Sequence, residues 1–586
     1  MILSSIMKET IVKLKSVIDN KYSFIYPSPD SPYMPNQFLA VIETNEPKEI
    51  GKILEDFISM EVKKLFDDGF KKLSIQNPSE KLLQALGKQI NNFFKANWIA
   101  IPYKNDSFKE QYNEIQKVLR GIKNLNAFEQ FEQRPGKKCN LCGERNSLFY
   151  NWNPQNNSKN NKNPFQLNID NDGAVPVGNG QKIIFESGEG LCAVCFTKRY
   201  YKKDVSFPST AKISLADTLD RMADKNLLEK YKKIFNNDFD EQLLYEENLT
   251  EYYFKKNNLD SYLAQMESIK SLQKQIQESL KNNNLKLTKY YALIKLDGDD
   301  MGKWLSGAFL GEKVSSEELM SFDMEVSKKL SEYAKNIENY FKDSESKGKL
   351  IYSGGDDVLA FVNLYHLVSV LKHIREIFPN FNKIKINGKD VVKTECVSTA
   401  SCGVVIAHYK MPLQEALKWA RSMECNAKKN NKDSCAIAVL KHSGDMNKLV
   451  FNWQYKDNSG KNWTIDLIGE VIEALKTYLS GSCVKKINQE FSLLSGSCVK
   501  KINQEFSLLM NEYGCFGGMD GIIESEIKRL IMRSNRESVN KKVIEKKLKE
   551  LAEKLISYYK SIGKLDNFIS LLNVSHFISK ETSHAD

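Results

Sequence analysis

The sequence predicts an α+β protein of several domains, and three observations support this prediction. With 586 residues, the chain is too long for a single domain. Between residues 286 and 445, strand-like and helix-like segments follow the order β-α-β-β-α-β, which is the order of a ferredoxin-like unit. From residue 446 onward, the pattern is mostly helical and rich in lysine and glutamate.

The elements of the ferredoxin-like block follow from hydrophobic pattern and turn residues. Apolar, β-branched runs indicate strands, and a 3.6-residue period indicates helices. The predicted strands are 289–297, the hairpin 348–363, 398–409 and 434–440, and the predicted helices are 316–343, 365–378 and 412–430.

Changes of pattern and composition divide the whole chain. Strand-like segments at 37–44 and 96–103, separated by an amphipathic stretch from Pro47 to Leu73, predict a small α/β unit at the start. An asparagine-rich, loop-like segment then lies between two cysteine pairs. The predicted regions are 1–135 (α/β), 136–205 (insertion), 206–285 (helical), 286–445 (ferredoxin-like) and 446–586 (helical).

Composition and charge exclude some classes of protein and leave others open. The 85 basic and 74 acidic residues give a net charge of +11, which permits contact with nucleic acid or nucleotide phosphates without requiring it. No apolar run of about 18 residues and no secretory leader pattern is present, so we expect a cytoplasmic protein without a membrane partner.

Two acidic motifs flank apolar segments of the ferredoxin-like block. "SGGDD" (353–357) carries Asp356 and Asp357 at the turn of the predicted hairpin, where Gly354 and Gly355 permit a tight turn and the approach of a phosphate. "KLDGDD" (295–300) places Asp297 at the end of the first strand, which neighbours the hairpin in this fold. Carboxylates from neighbouring strands suit hard divalent cations, which activate a hydroxyl for attack on a phosphate.

A lysine on the last predicted helix adds a positive charge to this arrangement. The sheet order brings the helix 412–430 towards the hairpin, so Lys428 is a candidate contact for nucleotide phosphates. A solvated lysine remains the alternative for any single position on this helix.

Four of the eleven cysteines have the spacing of metal ligands. Cys139 and Cys142 form one C-x-x-C pair, and Cys192 and Cys195 form another. Four thiolates suit tetrahedral Zn²⁺ in a closed structural site. A redox pair is the weaker alternative, because two pairs are present and neither lies in a thioredoxin-like βαβ context.

The motifs together resemble a known family. "DGDDMG", "SGGDD", "SCGVVIAHYKMPLQEAL" and "AKK" resemble the nucleotidyl-cyclase palm of the large subunit of type III CRISPR RNA-guided complexes, with the type III-B form the nearest, and more remotely the GGDEF diguanylate cyclases. "YMPNQFLAVIE" (33–43) is similar to the opening of the family's first, degenerate palm, and the cysteine pairs are similar to its zinc-binding insertion. The resemblance therefore implies two ferredoxin-like palms.

The resemblance also implies roles for particular residues. It implies that Asp297, Asp356 and Asp357 are catalytic, with Asp297 and Asp356 binding two Mg²⁺ or Mn²⁺ ions. The residues that it implies in nucleotide binding are Gly298, Asp299, Ser353, Gly354, Gly355 and Lys428.

Family membership implies an activity and partners. Family members make cyclic oligoadenylates from ATP when guide and target RNA are bound in the complex with the other subunits, and some join AMP to S-adenosylmethionine instead. An RNA-binding scaffold with an idle palm, or a free-standing cyclase that uses GTP, are the alternatives. We expect no HD-type nuclease, because the first histidine is His366, and no catalysis by the first palm, because 1–135 contains no GGDD-like hairpin.

A tandem duplication in the C-terminal region has no assigned function. "LSGSCVKKINQEFSL" occurs at 479–493 and again at 494–508. Two copies are too few for a solenoid.

Overall fold

The structure is a computed structural model, and it describes most of the chain. The described residues are 2–18, 21–71, 73, 75, 77–91, 93–125, 134–152, 162–177, 185, 188–200, 207–442, 444–457, 460–495, 519–533 and 541–583. Two compact units are formed: unit 1 by 1–207, 302–331 and 384–393, and unit 2 by 208–301, 332–383 and 394–586.

The strands of the described residues are short in unit 1 and longer in the central part of unit 2. In chain order they are β1 (Tyr22–Tyr26), β2 (Leu39–Ile42), β3 (Phe149–Tyr150), β4 (Val175–Pro176), β5 (Gly190–Leu191), β6 (Tyr290–Gly298), β7 (Gly348–Gly354), β8 (Asp357–Asn363), β9 (Lys385–Ile386), β10 (Lys389–Asp390), β11 (Ala400–His408), β12 (Ser434–Leu440), β13 (Met446–Asn452), β14 (Gln454–Asp457) and β15 (Gly460–Trp463).

Helices make up most of the remaining described structure. The α-helices are α1 (Ile2–Val17), α2 (Pro47–Lys71), α3 (Glu80–Asn91), α4 (Phe108–Asn124), α5 (Gln166–Asp172), α6 (Ala193–Tyr200), α7 (Thr210–Arg221), α8 (Lys225–Phe235), α9 (Glu251–Lys256), α10 (Met266–Asn282), α11 (Met301–Leu305), α12 (Ser316–Lys342), α13 (Leu367–Glu376), α14 (Leu413–Lys429), α15 (Thr464–Thr477), α16 (Gly481–Ser495), α17 (Met519–Met532), α18 (Lys541–Ile562) and α19 (Leu565–Thr582).

A six-stranded sheet is the centre of unit 2, and its order is β13-β12-β11-β6-β8-β7. The four strands β11-β6-β8-β7 are antiparallel neighbours, which is the arrangement predicted for a ferredoxin-like unit. β12 extends the sheet parallel to β11 after the crossover helix α14, and β13 then pairs antiparallel to β12. The prediction that the first strand and the hairpin are neighbours is therefore confirmed.

The helix α14 packs closely on this sheet, and a glycine permits the approach. A Cβ atom added at Gly403 of β11 would lie 2.2 Å from the carbonyl oxygen of Ala420 and 2.2 Å from the backbone nitrogen of Glu424. Small residues on α14 complete the contact, since Ala416 and Ala420 are fully buried. The last turns of α14 are thereby held against the strand ends that carry the acidic motifs.

Unit 1 has less sheet structure than the sequence predicts. Its segment 37–44 forms β2, which pairs with β1, and the amphipathic stretch forms α2. The prediction of a strand at 96–103 is wrong, because this segment pairs with no strand among the described residues. Pro102 lacks the N–H donor that sheet pairing needs. The indole of Trp98 occupies the space that a side chain on Gly51 of α2 would fill, so this segment packs against a helix instead of pairing with a strand.

The sequence prediction also misses strands, and part of the tandem duplication lies outside the described residues. β13, β14 and β15 lie in the region predicted to be mostly helical, and β13 belongs to the six-stranded sheet. The strand 446–452 buries Leu449 and Phe451 at alternate positions, so its strand pattern was present but extends over only a few residues. The first copy of the duplication contributes to α16, whereas 496–508 of the second copy lie outside the described residues.

No helix in the described part of the chain is both long enough and apolar enough to cross a membrane.

Candidate functional site

The turn between β7 and β8 is built by the two glycines that the sequence motif contains. Gly354 pairs with Asp357 across the turn, and Gly355 has φ +67°, a left-handed conformation that favours glycine. A Cβ on Gly354 would lie 2.2 Å from the hydroxyl oxygen of Tyr352, so the missing side chain makes room for that phenol. Ser353 is fully buried, and its hydroxyl has no hydrogen-bond partner among the described residues.

The turn places Asp356 against the end of β6. A Cβ added at Gly298 would lie 2.8 Å from the Cβ of Asp356 and 2.9 Å from its Oδ2. Because β6 and β8 are antiparallel neighbours, with Leu296 opposite Val358, the first acidic motif and the hairpin meet at one edge of the sheet. Asp297 and Asp356 are thus brought to neighbouring strand ends, as the sequence predicts.

The two hairpin carboxylates are unfavourably placed for full ionisation. Burial and the charge of Asp357 raise the pKa of Asp356 to about 7, although hydrogen bonds from backbone N–H groups, including that of Gly298, oppose this shift. Burial also raises the pKa of Asp357. The ammonium group of Lys295 acts in the opposite sense on both groups, since a nearby positive charge favours the ionised carboxylate.

Lys428 of α14 reaches this edge of the sheet, as predicted. Its ammonium group donates to Asp297 Oδ2 and lies 3.2 Å from Glu424 Oε1. Burial, and then the positive charges of Lys295 and Lys432, lower the pKa of Lys428 to about 8. Three ammonium groups therefore lie near each other where the acids converge.

A charged pair missed by the sequence reading lies below Lys428. The ammonium group of Lys295 donates to Glu424 Oε2, and Glu424 is 7% exposed. The sequence spacing of this pair was visible. Lys295 lies two residues before Asp297, on the same face of β6, and Glu424 precedes Lys428 by one helical turn. Lysine and glutamate are so common in this chain that neither spacing stood out.

Asp299 holds the loop beside the site. Its two carboxylate oxygens accept hydrogen bonds of 2.8 Å from the hydroxyls of Thr399 and Ser401, and Oδ2 also accepts from the N–H of Asp433 at 3.1 Å. With 3% exposure, Asp299 connects the end of β6 to β11 and to the turn before β12. A direct contact of Asp299 with a nucleotide stays a prediction.

The turn between α14 and β12 is a second support. Asn431, Lys432 and Asp433 have φ of +61°, +62° and +43°, a conformation that costs free energy in residues other than glycine. Arg375 donates to Asp433 Oδ1 at 3.0 Å from Nε, and Lys432 donates to Asp300 Oδ2 at 2.5 Å. These contacts hold the turn, and they place the Lys432 ammonium at the acidic edge.

The donor set at this edge fits hard divalent cations. Carboxylate and backbone carbonyl oxygens are the ligands that Mg²⁺ and Mn²⁺ prefer, and Asp356 lies directly beside Gly298. The three predicted carboxylates do not form a cluster of ligand atoms within 4.8 Å, a distance that only the four cysteines meet in the described part of the chain. Binding of Mg²⁺ or Mn²⁺ by Asp297 and Asp356 stays a prediction.

The four predicted cysteine ligands come together in unit 1. One Sγ atom from each of Cys139, Cys142, Cys192 and Cys195 lies within 4.8 Å of the others. Gly143, with φ +67°, donates its N–H to the Cys139 carbonyl, and the Cys195 N–H lies 3.4 Å from the Cys192 sulfur. Such turns direct two thiols of a C-x-x-C pair at one ion, so the cluster fits a tetrahedral metal.

Comparison with known proteins agrees with this architecture. Residues 290–436 match the family model described as Cas10/Cmr2, second palm domain. The chain is 26% identical over 505 residues to the CRISPR system Cmr subunit Cmr2 of Pyrococcus furiosus, with 72% of this chain and 54% of that protein covered. It is also 26% identical over 204 residues to the CRISPR system single-strand-specific deoxyribonuclease Cas10/Csm1 (subtype III-A) of Streptococcus thermophilus, with 33% and 25% covered.

A solved structure shares the fold. A chain of the type III-B Cmr-beta complex bound to cognate target RNA superposes with a TM-score of 0.52 at 13% identity, over 94% of this chain and 73% of the other. The present chain spans about half of the Pyrococcus relative.

The sheet order, the acidic hairpin and the lysine-bearing crossover helix define a palm-type α+β domain. Residues 290–436 of this domain match the second palm domain of Cas10/Cmr2, and the chain is similar in sequence to a Cmr2 subunit.

Proposed function

We propose that the chain is the large, RNA-activated nucleotidyltransferase subunit of a type III CRISPR complex and converts ATP to a cyclic oligoadenylate. One observation carries the proposal: two acidic motifs on neighbouring antiparallel strands meet the lysine of α14 at one edge of the palm sheet. The names of the relatives support the complex, and the Cmr-beta structure with target RNA supports guide RNA, target RNA and the other subunits as partners.

Different residues of the palm would have different roles in nucleotidyl transfer. Asp297 and Asp356, with the Gly298 carbonyl, would hold Mg²⁺ or Mn²⁺, which supplies Lewis-acid stabilisation of the phosphate and of the attacking hydroxyl. Asp357 completes the hairpin acid pair. Lys428 would move from Asp297 to the triphosphate and offset the negative charge that develops on the leaving pyrophosphate.

The sequence-predicted domains complete this proposal. We infer that 1–135 is a degenerate first palm that frames the nucleotide without catalysis, and that the region 206–285 is a helical domain. The region 446–586, predicted to be helical, begins with β13, β14 and β15, and its helices follow them. We infer also that the insertion 136–205 is held together by structural Zn²⁺ on Cys139, Cys142, Cys192 and Cys195, whose sulfur atoms converge.

Product analysis of the assembled complex tests the activity. The complex with guide and target RNA is given ATP, with and without S-adenosylmethionine, and the products are identified by mass spectrometry. We expect a cyclic oligoadenylate, and we expect Asp356→Asn to lower its rate about 100-fold or more, the order seen when a group that stabilises transition-state charge is removed. Asp343→Asn, an exposed acid at the end of α12, is the matched control.

Each other outcome has a defined meaning. Product formation that persists in Asp356→Asn contradicts the site. A product that requires S-adenosylmethionine identifies transfer of AMP to that acceptor by the same palm. Absence of product in the target-bound wild-type complex shows that the chain is an RNA-binding scaffold with an idle palm.

A further inference from the structure

A single buried carboxylate lies between two lysines beside the acidic motifs. Glu424 is 7% exposed, and each of its oxygens meets a different ammonium group: Oε2 accepts from Lys295 and Oε1 lies 3.2 Å from Lys428. All of these residues belong to unit 2.

The position of Glu424 is set by backbone packing. Gly403 lies directly opposite Lys295 in the register of β11 and β6, and a Cβ there would lie 2.2 Å from the Glu424 nitrogen. The Glu424 backbone is therefore packed against β11, next to the strand that carries Lys295, and α14 cannot shift without losing this contact.

The two lysines have other acids within reach. Lys428 already shares its ammonium group between Glu424 and Asp297, and the charge of Lys295 acts on Asp356 and Asp357. Without the Glu424 carboxylate, the Lys295 ammonium group would lose its ion-pair partner, and the acids on which its charge already acts include Asp356 and Asp357. An ammonium group on a carboxylate competes with a divalent cation for the same oxygen.

We propose that Glu424 is a positioning residue that holds Lys295 off the hairpin carboxylates, and that it thereby sets the affinity of the palm for divalent cations. This inference rests on the proposed function, because it takes the same acidic edge as the cation site. Release of Lys295 should lower the affinity, since its charge acts on both hairpin acids.

Binding of Mn²⁺ alone tests the inference without any measurement of product. Mn²⁺ is titrated into the full-length, zinc-loaded chain and followed by electron paramagnetic resonance. Glu424→Gln should weaken Mn²⁺ binding about tenfold or more, the order expected when a positive charge engages a nearby carboxylate. The wild-type signal should be lost in Asp356→Asn, which identifies it with the palm.

A second substitution separates positioning from simple damage to the fold. In the double variant Lys295→Met, Glu424→Gln, the freed ammonium group is absent, so Mn²⁺ affinity should recover towards that of the wild type. Glu424→Asp should rescue in part, because it restores the negative charge with a shorter reach. Glu415→Gln, on the exposed face of the same helix beside Lys418, is the matched control and should bind as the wild type does.

The outcomes are decisive in both directions. Unchanged Mn²⁺ affinity in Glu424→Gln, or a double variant as weak as the single one, overturns the proposal, as does a wild type without Asp356-dependent Mn²⁺ binding. If the affinities change as expected but the RNA-bound complex makes no product from ATP, the role of Glu424 stands and the proposed function fails.

Discussion

Two polar clusters of this molecule differ in how they balance charge. In the cysteine cluster of unit 1, four potential ligand atoms already lie within 4.8 Å of each other, and they come from two short motifs. In the palm of unit 2, the acids come from two strands and a turn, and lysines from β6, α14 and the following turn lie among them. The first cluster has no cation of its own among these four side chains, whereas the second supplies several.

This difference is the one that we expect between a site that holds structure and a site that exchanges ligands. Four converging thiols have the ligand set of a closed structural metal site, so we expect a bound metal to stabilise the first cluster. Acids balanced by lysines need no metal for charge balance, and in the proposed function the lysines would be available for an incoming phosphate. The predictions below test the contrast, starting with the largest expected effect.

Removal of one thiol should break the structural site. We expect Cys192→Ser to lose the bound metal and several kcal/mol of stability in the insertion, because structural zinc contributes about 10 kcal/mol or more in small zinc domains. Metal content per chain and limited proteolysis of the region 136–205 measure this. The control Cys425→Ser changes an exposed cysteine of α14. Full metal content in Cys192→Ser would show that the cluster is not a metal site.

The palm site should depend on backbone packing instead. Gly403→Ala places a methyl group 2.2 Å from two backbone atoms of α14, so the helix must shift. We expect about 1–3 kcal/mol of destabilisation in chemical unfolding, as for overpacked cores, with loss of nucleotide product from displacement of Lys428. Gly121→Ala in α4, where a Cβ meets nothing within 4 Å, should gain about 1 kcal/mol. Wild-type stability in Gly403→Ala would contradict the tight contact.

A buried acid in unit 1 shows what happens when no cation is supplied. Asp323 of α12 is 1% exposed, neither of its oxygens has a hydrogen-bond partner among the described residues, and burial raises its pKa well above the usual range. The folded state therefore keeps a proton that the unfolded chain releases above the usual carboxyl pKa. Stability contributed by this proton is complete below that value and is lost as pH rises towards the folded pKa.

Asp323→Asn removes this dependence, because the amide does not ionise. We expect the variant to be more stable than the wild type, with an advantage that grows by about 1.4 kcal/mol per pH unit between the two pKa values. Thermal unfolding at pH 5 and pH 8 measures it, and the exposed Asp56→Asn should show no such trend. An advantage independent of pH would mean that Asp323 is ionised in the folded protein.

The sequence predicts the palm better than it predicts unit 1. β12 has the bounds predicted for it, and β6, β11, α12 and α14 differ by no more than two residues, because long apolar runs between turn residues leave little choice. The segment 96–103 alternates as a strand does but has no partner strand, which local pattern cannot reveal. β13 shows the converse case, since it lies in a region predicted to be helical but pairs with β12 as a strand.

For the site, the acids and cysteines were found because their motifs are short and unusual in composition. Lys295, Glu424 and Lys432 were missed because each looks like a solvated charge in a chain with 27% charged residues. Thr399 and Ser401 were missed because nothing local marks them as partners of Asp299, a hundred residues earlier in the chain.

By itself, the sequence determined the residue types and the strand ends at which chemistry is possible: two acidic motifs after apolar strands, a lysine near the end of a helix, and two cysteine pairs. The tertiary structure decided which charges face each other. The strand register and the contact at Gly403 bring Glu424 into an ion pair with Lys295, and Lys428 into an ion pair with Asp297. Charge pairing depends on distances of a few ångströms between segments far apart in the chain, and only the folded sheet sets those distances.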